Sequence, residues 1–110
     1  IDVRPRTTPV DNIFYLLTEY ILRLKTWYET NQTFSLVKDE VARCRKYVEN
    51  DKVFSPERKW GYNMFLDFYE HIWDARFDKS QYSVSVILKM AQKTRMIEQP
   101  WILEKLKEML

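Results

Sequence analysis

The chain has 110 residues, with 18 Lys and Arg against 16 Asp and Glu for a formal charge of +2, and its 45% hydrophobic content is enough to bury a core. Its single Gly excludes the Gly-rich phosphate loops of P-loop NTPases and Rossmann dinucleotide sites, which need several backbone positions without a Cβ. One Cys and one His supply neither an internal disulfide nor a zinc cage, and the longest apolar run, Ile13 to Leu17, is far too short to cross a bilayer.

The first ten residues carry Arg4, Pro5, Arg6 and Pro9 and lack both the apolar core of a secretory signal and an amphipathic transit pattern, so an extended arm is expected over 1–10. A single helical domain is expected over 11–110. Asp11 is the expected N-cap of a first helix over about 12–30, in which Ile13, Leu17, Tyr20, Leu24 and Trp27 recur at spacings of 4 and 3. Phe14, Ile21 and Tyr28 widen that stripe, which predicts cover on more than one side.

Asn31 to Thr33 break the pattern, and Ser35 is the expected cap of a second helix over about 36–49 that buries Val37, Val41, Cys44 and Val48. Ser55-Pro56-Glu57 then gives the clearest start in the chain. It combines a hydroxyl cap, a Pro whose missing N–H costs nothing there, and an acid at the positive end of the helix dipole.

The third helix is predicted to reach about Arg76, burying Trp60, Met64 or Phe65, Phe68, Tyr69, Ile72 and Trp73. Gly61 in its first turns costs about 1 kcal/mol against Ala, which predicts a close neighbour there. Asp78 to Ser80 turn the chain into a fourth helix over about 81–96, with Val84, Ile87, Leu88 and Ala91 inward. Gln99-Pro100 opens a fifth that carries Trp101, Ile102, Leu103, Leu106, Met109 and Leu110. No Asn-Gly or Asp-Gly turn exists to pair a strand.

These starts give an all-α fold of antiparallel helical hairpins with a period of about 44–45 residues. The period and the alternation of long and short helices resemble an α-solenoid of the HEAT or armadillo type, in architecture only; a compact five-helix bundle is the alternative.

His71, with Asp67 four residues before it and Asp74 three after, forms a carboxylate-flanked imidazole on one helix face. Hydrolytic zinc needs more N or S ligands than the chain holds, and a solvated face is the expectation. Cys44 lies within Arg43-Cys44-Arg45-Lys46, where cations would favour a thiolate, yet its place on the Val stripe predicts a small buried apolar residue.

No cofactor or metal is expected, and function is expected to be non-enzymatic: a protein–protein interaction module or a structural subunit of a larger assembly. The expected partner is another subunit or further helical repeats, met through Trp101, Leu103, Leu106 and Leu110, because the fifth helix is apolar over a wider stripe than one hairpin covers and has no capping partner after it. That ending is expected of a segment of a longer polypeptide or of a processed product. The alternative is a helical array that holds nucleic-acid backbone through Arg43, Arg45, Lys46, Lys89 and Lys93 on the second helices, set against the acidic Asp67, Glu70 and Asp74 of the third. One unpaired Cys and no signal point to an intracellular, reducing compartment, and no membrane insertion is expected.

Overall fold

The structure, a computed structural model, describes the backbone of residues 9–110 and side chains from residue 12 onward. The expected arm falls almost wholly outside the described residues. Among these residues the chain forms five helices and no strand: α1 (Pro9–Glu29), α2 (Phe34–Asn50), α3 (Pro56–Arg76), α4 (Val84–Lys93) and α5 (Gln99–Glu108). It divides into two compact units, Ile1–Ser55 and Pro56–Leu110.

In the first unit α1 packs on α2. The backbone is already helical at Pro9, two residues ahead of the expected cap at Asp11. Asn31 ends α1 in the left-handed region (φ 56), and the Gln32 N–H donates back to the Trp27 carbonyl at 2.9 Å, so orphan carbonyls of the last turn are used without a glycine. Thr33, rather than Ser35, occupies the N-cap of α2. The buried residues are Leu17, Tyr20, Ile21, Leu24 and Tyr28 on α1 and Val37, Val41, Cys44 and Val48 on α2, the predicted stripe of the second helix in full. Ile13 and Trp27 are only half-buried, and Phe14 of the wider set is exposed. One carboxylate lies within this apolar stripe. Glu40 is 5% exposed and is held by Arg23 across the hairpin (Nη1–Oε1 3.4 Å) and by Arg43 on its own helix (Nη1–Oε2 3.7 Å). Two cations thus offset the cost of taking a charge out of water.

The second unit is a three-helix arrangement in which α3 meets α4 and α5, and α4 meets α5. Its core is aromatic on the α3 side. Phe65, Leu66, Tyr69, Ile72 and Trp73 are buried, as are Ile87 and Ala91 of α4 and Ile102 and Leu106 of α5. Trp101 stacks on Tyr69 with ring centroids 6.1 Å apart at 22°, and Tyr69 meets Trp73 edge-on at 6.3 Å. Trp60 is a correction: it is 47% exposed. The buried face of α3 runs through Gly61, Tyr62, Phe65 and Leu66, which turns position 60 outward. The close neighbour expected at Gly61 is Ile97, whose backbone N–H donates to the Gly61 carbonyl at 3.2 Å and whose side chain would lie 3.6 Å from an added Cβ.

α3 ends as α1 does. Asp78 is left-handed (φ 56), and the Lys79 N–H returns to the Asp74 carbonyl at 2.8 Å. α4 is shorter than expected, because Ser83 caps it, its hydroxyl accepting the Val86 N–H at 3.3 Å, and because it stops at Lys93. Phe34 and Val84 lie 50 residues apart, so a strict period of 44–45 does not hold, and α5, at 10 residues, is as short as α4, so the alternation of long and short helices ends with the fourth.

Candidate functional site

The predicted partner face on α5 divides in two. Leu106 is fully buried and Trp101 is half-buried against Tyr69 and Phe65 (centroids 6.3 Å), so Leu106 belongs to the chain's own core and is not presented to a partner. Its position opposes the open side of the helix: Ile102 and Leu106, one turn apart, form the inner stripe. Lys105 lies over the Trp101 ring (5.8 Å) and pairs with Glu108 at 3.1 Å, closing that edge. Leu103 remains half-open in a shallow groove with Pro100, Glu104, Lys107 and Glu108, and Leu110 is exposed.

α4 carries an open apolar row that the sequence reading missed. Val86 and Met90, one turn apart on α4, are 42% and 41% exposed and Tyr82 in the turn before the helix is 48% exposed, while Ile87 and Ala91 are buried. The helix therefore has apolar side chains on two faces, only one of them covered by its unit. Exposed Lys89 and Lys93 stand beside this row. The spacing of Val86 and Met90 is legible in the sequence beside the inward set of Val84, Ile87, Leu88 and Ala91. Elsewhere on the unit, exposed Trp60 lies in a groove with Pro56, Glu57 and Arg95.

The five cations proposed for nucleic-acid backbone do not form one cluster within either unit. Arg43 and Lys46 are exposed on α2 and Arg45 is half-buried there, whereas Lys89 and Lys93 belong to the second unit. His71 is half-buried with its ring edge-on to Phe68 at 5.7 Å. Among the described residues no group of three or more His, Cys, Asp and Glu could hold a metal ion, and no helix is long and apolar enough to cross a membrane.

Cys44 is fully buried. Burial, with the Glu40 charge beside it, pushes its thiol up to about 12 against the opposing effect of Arg45, so the flanking cations do not produce a thiolate. A thiol that titrates higher in the folded chain than in the unfolded one favours the fold fully below the unfolded value of about 8.5 and loses that contribution as pH rises toward 12. The stability advantage of the wild type over Cys44→Ala, measured by urea unfolding, is therefore expected to shrink between about pH 8 and pH 10. An advantage that grows with pH would place the thiolate in the folded state.

Comparison of the chain with models of protein families, with curated proteins and with solved structures finds no match in any of the three.

Proposed function

We propose that this chain is a non-enzymatic helical interaction module, or a subunit of a larger assembly, that binds another protein through the outer face of its second unit. The observation that carries this reading is the exposed pair Val86 and Met90 on α4 with Tyr82 in the turn before it, three large side chains left in water beside a completed core. Such rows are the anchors with which one amphipathic helix lies along another, and Tyr and Met are among the side chains enriched at the centres of interfaces. Leu103 on α5 and Leu110 beyond its end are further open apolar side chains of the same unit.

The test uses the full native polypeptide in its assembly. Val86→Glu with Met90→Glu alters only exposed positions and is expected to release the partner, read as a fall in mass by light scattering, with the helical signal unchanged. Association through this row is expected to depend weakly on salt, unlike contact with phosphates, which weakens steeply as counterions compete. An assembly of unchanged mass in the double variant would overturn the reading.

A further inference from the structure

The first unit carries a groove of about 320 Å³ lined by Tyr20, Arg43, Lys46, Tyr47 and Asn50, at the lower end of the size range of small-ligand sites. Four of the five lie at i, i+3, i+4 and i+7 on α2, so one helix face assembles the site and Tyr20 of α1 closes it. The Tyr20 and Tyr47 rings stand 5.5 Å apart at 47°, and Tyr47 is 46% exposed. Arg23 covers the Tyr20 ring at 5.6 Å. The Tyr20 O–H is a hydrogen-bond donor, and burial raises its phenol above its ordinary range. Glu40 takes part of the Arg43 charge at 3.7 Å, whereas the exposed Lys46 ammonium has no ion pair among the described residues.

These groups define a ligand. Arg43 and Lys46 offer a fork and a point charge to one phosphoryl group. The open Tyr47 ring offers a platform to a planar heterocycle, and the Asn50 amide, both donor and acceptor, stands at the next turn for a polar ring edge. We infer that this groove binds a nucleotide, with phosphate at Arg43 and Lys46 and base on Tyr47, supplied either as a free mononucleotide or as one unit of a single strand. A phosphotyrosine peptide would satisfy the cations and the ring but would leave the Asn50 amide without a use. This site lies on a different unit from the α4 row and does not depend on it. It also narrows the nucleic-acid alternative to part of α2, since Arg45, Lys89 and Lys93 do not line the groove.

Fluorescence anisotropy of a labelled short single-stranded oligonucleotide, and NMR of the Tyr47 ring titrated with adenosine 5′-monophosphate, test this on the full chain at low salt. Tyr47→Ala is expected to weaken oligonucleotide binding at least about fivefold while Tyr47→Phe retains it. Lys46→Glu is expected to weaken it comparably and to flatten a log–log salt dependence whose slope is about −0.7 for the one neutralised phosphate. Lys89→Glu with Lys93→Glu is expected to change nothing. A Tyr47 shift with the mononucleotide identifies the free ligand as a source; a shift with the oligonucleotide alone identifies the strand. The proposal is overturned by absence of binding up to about 1 mM, by binding indifferent to both Tyr47→Ala and Lys46→Glu, or by a phosphotyrosine peptide that binds more tightly than either nucleotide form.

Discussion

Replacing Leu106 by alanine is expected to cost about 2–5 kcal/mol, whereas the same change at Leu103, three residues away on α5, is expected to cost less than about 1 kcal/mol. The sequence treats the two alike, as apolar residues on the last helix. In the structure Leu106 is fully buried with Ile102, Phe65 and Tyr69, and truncation there leaves a cavity that a stacked aromatic core cannot close. Leu103 faces a groove already open to water, so little apolar area is lost. At about 4–8 °C per kcal/mol for a chain of this size, thermal unfolding separates the two variants clearly. Equal losses would mean that α5 is rotated from the orientation described.

Removing both arginines around Glu40 is expected to be the next largest effect. In Arg23→Ala with Arg43→Ala, a carboxylate only 5% exposed keeps neither of its cations. Breaking a fully buried pair costs about 3–5 kcal/mol, and the exposure of the two arginine side chains, 42% and 63%, lowers the expectation to about 2 kcal/mol because water reaches the pair. Adding Glu40→Leu to that background is expected to recover most of the loss, since an apolar residue then replaces the stranded charge on the Val37, Val41 and Cys44 stripe. Urea unfolding of the wild type and these two variants forms the test, and a double arginine variant as stable as the wild type would show that Glu40 is hydrated.

How far the sequence could be read depended on whether a signal was local. Ser55-Pro56-Glu57 placed the start of α3 at the right residue, because capping chemistry is decided within one turn, and the 4, 3, 4 spacing of Val37, Val41, Cys44 and Val48 identified the buried stripe of a helix with a single apolar face. The broad faces were harder. Nearly every turn of α3 holds aromatic residues, so periodicity could not tell that Trp60 stands outside while Tyr62 and Phe65 stand inside. Competing hydroxyls at Ser80 and Ser83 blurred the start of α4, and only the second of them caps it. The α2 cations were visible as a charge run, but their joining with Tyr20 into one groove needed the packing of α1 on α2, which no single stretch of sequence encodes.

The central claim, that the outer row of α4 is covered by another protein, is tested most directly by hydroxyl-radical footprinting of the full native polypeptide in its cellular assembly and again after purification. Tyr82 and Met90 are exposed and readily oxidised, whereas Met96, only 8% exposed, is an internal reference shielded by the fold. The account predicts that Tyr82 and Met90 are protected in the assembly and oxidised in the purified chain, with Met96 protected in both. Equal oxidation of Tyr82 and Met90 in the two states would contradict it.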